Sequence, residues 1–485
     1  MVSLEEIRQA KLRKLELLKK EGIEAYPIES YFDVTLSEVV SDFSKLSKKK
    51  KLYLVGRVMS LRPQGGVFFL NLNDGTGLFQ AMLKKDETKD EAFDLFGKVI
   101  DIGDFIEVEG SLFKTKRGEK TILVKNWKML AKSILPLPEK WHGLQDVEER
   151  FRKRYLDALM NPEVKERFIL RSKIISLLRE MLDNENYLEV ETPVLQPIAG
   201  GATAMPFATH HNAMDMDMYL RISDELYLKR MIIAGFPKVY EISKDFRNEG
   251  IDWSHNPEFT MIEFYESFST AEKQMAFVEK IFKTIVKKLL KKNQITWRGD
   301  TIDFSKKFAV ISYFDLIKRY ALIENIETIS KEELRTKALQ LGVTVTPADS
   351  FGKILDNIYK KMCRPKLIQP TFIIDYPADL LPLAKRKNKD IVDAFQLVIG
   401  EIELVKAFSE LNDPIDQRER FMTQEKIKEA GETDAQSLDE DFLEAMEYGM
   451  PPAGGVGIGI DRLVMLLTDT HNIKEVIFFP TMRKA

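Results

Sequence analysis

The sequence is short of the residues on which several kinds of site depend. Its 485 residues include one cysteine, Cys363, and five histidines. A single cysteine excludes an internal disulfide and a cysteine-rich zinc site, and it fits a reducing compartment. No apolar run approaches the roughly 20 residues of a membrane-spanning helix, and the amino-terminal stretch lacks the apolar core of a signal peptide. We therefore expect a cytoplasmic protein that does not enter a membrane.

An excess of charge of one sign is also absent. The 73 basic and 76 acidic residues give a net charge of -3, which argues against a protein that coats polyanions with its whole surface. A local basic groove is not excluded. The apolar fraction of 44% and the charged fraction of 31% are typical of a folded chain with a sizeable core. The length predicts about three domains, or one large domain with additions.

The amino-terminal third changes from a helical to a strand pattern. Residues 1–50 form a predicted helical segment, in which Leu4 to Lys20 is amphipathic with a basic face that is either solvated or in contact with nucleic acid. From residue 52 the apolar period becomes two, in the stretches LYLVGRVMSLR, VFFLNLND, LFQAML, DFIEVEGSLFKTK and KTILVKNWKML. Five short strands in about 80 residues predict an OB-fold barrel over 51–135.

A linker and a larger α+β domain follow the barrel. Pro136, Pro138 and Trp141 predict a linker over 136–150, and the second domain should occupy 151–485. Arg167 to Asn184 reads as a long amphipathic helix, and Tyr187 to Pro193 as a strand that ends at proline. Further helical patterns predict a helical insertion over about 270–362.

The stretch from Asp245 to Phe268 carries the clearest chemistry. Arg247 can neutralise a phosphate and form two parallel hydrogen bonds with it. Phe259 offers a flat apolar face on which a base can stack. Glu263 and Tyr265 are two residues apart, so on a strand they share one face, and a carboxylate beside a phenol suits an ammonium group. We therefore expect a site for a nucleotide and a cationic small molecule.

Three blocks of the sequence resemble one enzyme family. FRNEG followed by HNPEFT resembles motif 2 of the class II aminoacyl-tRNA synthetases, and GVGIGIDR, Gly455 to Arg462, resembles their motif 3. The stretch from Gln196 to Arg230 resembles the lysine-specific members, the lysyl-tRNA synthetases. The resemblance runs from about Lys51 to Arg483. It implies an anticodon-binding barrel, a catalytic domain with an antiparallel sheet flanked by helices, and a homodimer formed through the 167–193 region.

The resemblance also implies an ATP site. Arg247 would bridge the α-phosphate and the amino-acid carboxylate, and Arg462 would lie near the γ-phosphate. The remaining ATP residues implied are Glu249, His255, Asn256, Phe259 and Glu403. An ordinary salt bridge is an equally good interpretation of His255. The alternating Gly455, Gly457 and Gly459 do not form the G-x-G-x-x-G pattern of dinucleotide-binding folds.

For lysine, the resemblance implies that Glu263 and Tyr265 bind the side-chain ammonium. The α-amino group would bind Glu225 and the backbone of Gly201. Lys406 stands where many relatives have asparagine near the substrate carboxylate.

The resemblance further implies Mg²⁺ bound with ATP, and Glu403 and Glu410 are the candidate ligands. These two residues are seven apart, so on a regular strand they would face opposite ways. A bulge or turn near Lys406 and Ala407 is therefore required. Two solvated carboxylates are the alternative.

On the barrel, the resemblance implies that Phe69 stacks on an anticodon base while Arg62, Gln80 and Glu119 contact the other bases. Phe68 must point the opposite way from Phe69, and the sequence does not distinguish which ring is in the core. The implied reaction joins L-lysine to tRNA(Lys) with ATP. The alternatives are an aspartate or asparagine enzyme of the same subgroup, and a catalytically inactive nucleic-acid-binding paralogue.

Overall fold

The computed structural model describes residues 3–138, 144, 146–346, 349–429 and 437–483. The chain divides into two compact units, 1–144 and 145–485. This division falls inside the predicted linker, of which residues 139–143 and 145, including Trp141, lie outside the described residues. The predicted helical segment 1–50 belongs to the same unit as the barrel.

The first unit is a closed five-stranded barrel with short helices. Its helices are α1 (Leu4–Lys20), α2 (Leu36–Ser41), α3 (Phe43–Leu46) and α4 (Asp90–Val99). Its strands are β1 (Leu52–Gln64), β2 (Val67–Asn73), β3 (Leu78–Lys84), β4 (Phe105–Lys114) and β5 (Lys120–Ala131), in the order β1-β2-β3-β5-β4. Alternate side chains such as Leu70, Leu72 and Ala81 fill the barrel. The OB-fold prediction is confirmed.

Helix α1 begins and ends where its sequence predicts. The Ser3 hydroxyl accepts a hydrogen bond from the Glu6 backbone, and the Glu6 carboxylate accepts one from the Ser3 backbone. This reciprocal cap satisfies amide groups that a helix start leaves without partners. Leu18 is buried in the same core as the barrel strands, so the apolar face of α1 serves for packing.

The second unit contains the remaining elements. Its helices are α5 (Val147–Arg152), α6 (Arg154–Met160), α7 (Pro162–Asn184), α8 (Glu225–Ile233), α9 (Ala271–Leu290), α10 (Tyr313–Ala321), α11 (Lys331–Gln340), α12 (Phe351–Ile358), α13 (Pro414–Glu429), α14 (Glu440–Glu447) and α15 (Ile460–Leu467). Its strands are β6 (Leu188–Glu189), β7 (Leu195–Gln196), β8 (Ala208–His211), β9 (Met216–Leu220), β10 (Lys238–Phe246), β11 (Glu258–Ser267), β12 (Gln294–Trp297), β13 (Asp300–Asp303), β14 (Ala309–Ser312), β15 (Thr371–Pro377), β16 (Ile391–Ile399), β17 (Ile402–Ser409) and β18 (Ala453–Gly459).

An eight-stranded sheet organises this unit, in the order β14-β15-β16-β17-β18-β11-β10-β6. Six strands are antiparallel as expected, but the edge strands β14 and β6 pair in parallel, so the sheet is mixed. On β11, Ile262 and Phe264 face a core shared with α7, α9 and α15. Glu263 and Tyr265 point to the opposite face, because side chains alternate along a strand. That opposite face carries the cavity described below.

Two local predictions are corrected. The strand expected from Tyr187 to Pro193 is reduced to Leu188–Glu189. The region 270–362 is not purely helical, because it contains the β12–β13 hairpin and the edge strand β14. Among the described residues, no helix combines the length and the apolar character that a membrane crossing requires.

Candidate functional site

A cavity of about 610 Å³ opens on the polar face of the sheet in the second unit. Its walls come from β11, β17 and β18, from the 249–257 loop that joins β10 to β11, and from α12 with the turn after it. This volume is typical of small-molecule sites. The residues of motifs 2 and 3, which are about 200 positions apart in the sequence, therefore line one space.

The alternating glycines of β18 face this cavity. Gly455 pairs with Tyr265 and Gly457 with Glu263 across the β11–β18 ladder. A Cβ at Gly455 would lie 2.1 Å from Oε1 of Glu410 and 2.4 Å from Cε1 of Tyr265. Real Cβ atoms do not approach so closely. Gly455 is therefore required for the Glu410 and Tyr265 side chains to meet above the strand.

One end of the cavity is cationic and aromatic. The Arg247 guanidinium lies 5.0 Å from the centroid of the Phe259 ring. Arg462 donates to Nε2 of His255 at 2.8 Å and to the backbone carbonyl of Glu403 at 3.2 Å. Because Nε2 accepts, Nδ1 of His255 carries the proton that is shared with Asp252 at 2.9 Å. The structure thus places His255 between an arginine and a carboxylate.

The other predicted nucleotide residues line the same end. Glu249, Asn256 and Glu403 are all part of the cavity wall. Asn256 donates to the Glu258 carbonyl at 2.6 Å, while its buried Oδ1 has no partner among the described residues. Burial lowers the pKa of Arg462, against the opposing effect of Glu403. An anion in this space would meet preorganised donors.

The opposite end of the cavity is acidic. The buried Lys229 ammonium lies 2.6 Å from Glu225 and 2.5 Å from Glu410. Although burial disfavours its charge, these two carboxylates raise the pKa of Lys229. Tyr265 donates to Oε2 of Glu263 at 2.9 Å, and Ser223 donates to Oε1 of Glu263 at 3.1 Å.

Several acids at this end titrate far from their usual range. Burial, followed by the charges of Glu225 and Asp245, raises the pKa of Glu263 to about 8. Burial also raises the pKa of Glu410, although Lys229 opposes the shift. A cation bound beside these carboxylates would favour their ionised forms.

Glu410 lies buried behind this acidic end, outside the residues that line the cavity, and it does not pair with Glu403. Its side chain is fully buried beside Lys229, and the charges that act on it are those of Lys229, Glu225 and Glu263. Seven residues of strand at about 3.3 Å each separate the two backbones by roughly 20 Å. The structure therefore does not bring Glu403 and Glu410 together as ligands of one metal ion. Oε1 of Glu410 receives no hydrogen bond from the described residues.

The expected bulge exists, but it lies earlier on the strand. Val405 pairs with Leu397 and Glu403 with Val398, so Leu404 is the extra residue on β17. The bulge moves Glu403 to the face that also carries Lys406. Lys406 pairs with Gln396, and both line the cavity.

Gln396 is a site residue that sequence reasoning missed. Its Oε1 is buried and has no partner among the described residues. Arg364, in the turn after α12, was also missed. It lines the cavity, and its charge helps to lower the pKa of Arg462. The cluster of basic residues in KKMCR was the available signal for Arg364.

Gly201 closes the acidic end. Its φ of +86° lies in the left-handed region that glycine adopts without strain. A Cβ there would lie 3.1 Å from Oγ of Ser223 and 3.2 Å from Cβ of Glu225. The Gly201 backbone is therefore held close to Glu225, as the prediction requires.

The barrel presents a separate polar face in the first unit. Phe68 packs against Phe93 and Phe96 of α4, with ring centroids 5.0 and 5.4 Å apart, so Phe69 faces outward. Phe69 pairs with Arg62 across the β1–β2 ladder. Further along this face, Gln80 accepts a hydrogen bond from Thr121 at 2.7 Å. Glu119 is exposed in the loop before β5.

A closed five-stranded barrel and a second unit whose cavity has a cationic and an acidic end are the features that the resemblance to a two-domain class II synthetase predicts. Comparison with known families agrees. Residues 146–483 match the tRNA synthetases class II (D, K and N), and residues 52–130 match the OB-fold nucleic acid binding domain. The chain belongs to the class II tRNA synthetases of the D, K and N group.

Curated relatives match over nearly the full length. The chain is 46% identical to a lysine–tRNA ligase of Pelotomaculum thermopropionicum, over 99% of this chain and 95% of the relative. It is 46% identical to the lysine–tRNA ligase of Carboxydothermus hydrogenoformans, over 99% and 98%. Identity to that of Dehalococcoides mccartyi is 43%, over 99% and 98%.

Proposed function

We propose that this chain is a lysine–tRNA ligase. It activates L-lysine with ATP to lysyl-adenylate, transfers lysine to the 3′ end of tRNA(Lys), and releases AMP and pyrophosphate. The observation that carries the proposal is the acidic end of the cavity, where Glu225, Glu263 and Tyr265 line the wall and Oε1 of Glu410, buried beside Tyr265, lacks a donor among the described residues. An aspartate or asparagine enzyme would need cations or amides there, because a buried carboxylate rejects an acidic substrate. The names of the relatives support the same choice.

The lysine side chain reaches the acidic end. Its ammonium lies between Oε1 of Glu410 and Tyr265, while Glu263 accepts from the Tyr265 hydroxyl and fixes that ring. The α-amino group lies between Glu225 and the Gly201 backbone. Glu410 is the stronger candidate for the charge contact first expected of Glu263, because Oε1 of Glu410 receives no hydrogen bond from any described residue, whereas each Glu263 oxygen already accepts one and keeps only its remaining lone pair.

The activation step needs no general base, because the attacking lysine carboxylate is already an anion. Catalysis therefore depends on alignment and on neutralising phosphate charge. Arg247 holds the α-phosphate and the carboxylate together, and Phe259 stacks on adenine. Arg462 contacts the γ-phosphate, with Arg364 nearby.

The remaining nucleotide contacts come from the 249–257 loop. Glu249 binds the adenosine end. His255 and Asn256 orient the triphosphate. The role of His255 fits its ordered hydrogen bonds with Asp252 and Arg462.

The cavity also has oxygen ligands suited to Mg²⁺. Glu403 and the orphan carbonyl oxygen of Gln396 lie on neighbouring strands of the same face. A hard cation prefers one or two such protein oxygens together with phosphate oxygens. Glu403 and Gln396 would hold Mg²⁺, which when bound neutralises phosphate charge. Lys406, which pairs with Gln396, adds a positive charge beside the substrate carboxylate.

The barrel binds the anticodon of tRNA(Lys) through Arg62, Phe69, Gln80 and Glu119. The outward orientation of Phe69 supports this role. The enzyme is a cytoplasmic homodimer. Support for the dimer comes from exposed apolar side chains in the 167–195 region, namely Ile169, Leu188, Val194 and Leu195.

ATP–pyrophosphate exchange measured with each of the twenty amino acids tests the proposal, followed by charging of tRNA(Lys). Lysine should support exchange far above the others. Exchange with aspartate or asparagine would assign the chain to another enzyme of the group. Binding of tRNA without any exchange would identify an inactive paralogue.

A further inference from the structure

Three buried carboxylates meet behind the acidic end of the cavity. Asp224, Asp245 and Glu263 each place one oxygen within 4.8 Å of the other two. Asp224 and Asp245 are fully buried, and Glu263 is 6% exposed. Of the three, only Glu263 forms part of the wall of the described cavity. Asp224 and Asp245 therefore lie behind the wall of the cavity, where a substrate in the cavity does not contact them.

Asp224 has no hydrogen-bond donor of its own. It occupies the residue before α8, where an aspartate ordinarily accepts a hydrogen bond from the first turn of the helix, but its side chain makes no such cap. Neither side-chain oxygen receives a hydrogen bond from the described residues. A buried carboxylate left in this state is costly unless it takes up a proton or a cation faces it. Asp224 instead directs its oxygen toward Asp245 and Glu263.

The neighbouring cations do not supply the missing charge. Arg221 lies 2.6 Å from Glu241 and 3.4 Å from Asp245, so two acids share one guanidinium. Lys229 is already shared between two other carboxylates, Glu225 and Glu410. If all four groups were ionised, the triad and Glu241 would set four negative charges against Arg221 and the charge of Arg247, which also acts on Asp245. Two excess charges would remain, and one divalent cation would neutralise them.

We propose that Asp224, Asp245 and Glu263 form a binding site for a hard divalent cation, separate from the metal that accompanies ATP. Carboxylate oxygens are the ligands that Mg²⁺, Ca²⁺ and Mn²⁺ prefer. Ligands on opposite sides of an ion are about 4.2 Å apart for Mg²⁺ and about 4.8 Å apart for Ca²⁺, from metal–oxygen distances of about 2.1 and 2.4 Å. The spacing within the triad does not exceed the larger value.

The ion has a structural task in the proposed lysine pocket. The ion binds the Glu263 carboxylate on the side of Asp224 and Asp245, while the Tyr265 hydroxyl donates a hydrogen bond to Oε2 of the same carboxylate. The position of the Tyr265 ring, and through it the width of the pocket, then depends on the ion. This consequence rests on the proposed function, whereas the binding of the ion itself does not.

Manganese binding to the full-length protein tests the site directly. The protein is stripped with a chelator and titrated with Mn²⁺ in the absence of ATP, lysine and tRNA, and free Mn²⁺ is counted by electron paramagnetic resonance. We expect one tight site per chain, displaced by Ca²⁺ or Mg²⁺, and at least a tenfold loss of affinity in Asp224→Asn and in Asp245→Asn. Absence of a tight site in the wild type would overturn the proposal and indicate that protons neutralise the triad.

Two further measurements make the result unambiguous. Glu403→Gln removes the carboxylate proposed for the ATP metal, so it should leave the nucleotide-free Mn²⁺ site intact. Equal loss in Glu403→Gln and Asp224→Asn would place the ion elsewhere and refute the assignment. If the aspartate variants do not fold, wild-type crystals soaked in Mn²⁺ decide the question: anomalous density among the three carboxylates supports the site, and its absence there refutes it.

Discussion

Charge removal at Glu410 and at Glu403 should affect different substrates. Both residues were candidate ligands of one metal ion, but the structure separates them. Glu410 lies beside Lys229 behind the acidic end of the cavity, and Glu403 lies beside Arg462 at the cationic end. Glutamine keeps the size of each side chain and removes its charge. Glu410→Gln should therefore impair lysine recognition, and Glu403→Gln should impair the use of ATP with Mg²⁺.

The size of the Glu410 effect follows from its surroundings. The carboxylate is fully buried, and removing one partner of a buried ion pair costs about 3–5 kcal/mol. Lys229 keeps Glu225 at 2.6 Å, so folding loses less than this amount. The bound lysine ammonium keeps only the neutral Tyr265 hydroxyl and a glutamine oxygen. We expect kcat/KM for lysine to fall roughly 150-fold. This factor corresponds to a loss of about 3 kcal/mol of transition-state stabilisation, at about 1.36 kcal/mol per tenfold.

Pyrophosphate exchange with lysine, ATP and Mg²⁺ varied separately is the assay. Calorimetry of lysine binding without nucleotide, and thermal melting of each variant, complete it. Glu403→Gln should need more Mg²⁺ and more ATP but bind lysine as the wild type does. The reasoning is refuted if Glu410→Gln changes the Mg²⁺ requirement as Glu403→Gln does and leaves lysine binding unaltered. That outcome would restore the shared metal site.

Three other predictions concern single positions. Gly455→Ala should abolish lysine-dependent exchange, because its Cβ would overlap Oε1 of Glu410; a variant with wild-type lysine KM would contradict the close approach. Phe69→Ala should weaken tRNA binding during charging by about 1–3 kcal/mol and leave ATP–pyrophosphate exchange unchanged. Phe68→Ala should chiefly lower the melting temperature. The reverse pattern would mean that Phe68 contacts the tRNA and Phe69 packs in the core. Cys363 is fully buried and burial raises its pKa to about 12, so iodoacetamide at pH 8 should label only unfolded protein, and rapid native labelling would contradict its burial.

Local patterns were sufficient for most of the barrel, because alternation of apolar residues reports directly which face of a strand is buried. They could not orient Phe68 and Phe69. Both rings are partly buried, and the choice depends on α4, whose Phe93 and Phe96 pack against Phe68. That contact joins residues about 25 positions apart, so the sequence of the strand alone does not reveal it.

Motif spacing predicted which residues meet in the cavity, but it could not assign their roles along β17. The face on which Glu403 lies is set by one extra residue, Leu404, and this bulge is defined by pairing with β16. A bulge shifts every side chain before it to the other face of the strand. Gln396 therefore becomes the neighbour of Glu403, while Glu410 joins the acidic end. Seven residues of separation are equally compatible with either arrangement.

The triad shows a stronger limit of sequence reasoning. Asp224 before a helical pattern reads as an ordinary N-cap, and Asp245 after Lys244 reads as a charge at the end of a strand. Both interpretations assume a partner, either an amide group or water. Both side chains are fully buried, and α8 begins without using the cap. A short polar side chain caps a helix or lies at the surface only where solvent or local backbone groups satisfy its hydrogen bonds. Where tertiary packing excludes both solvent and local backbone donors, a ligand or a proton must neutralise the charge. Buried acids without hydrogen-bond donors are therefore the places to look for an unassigned site.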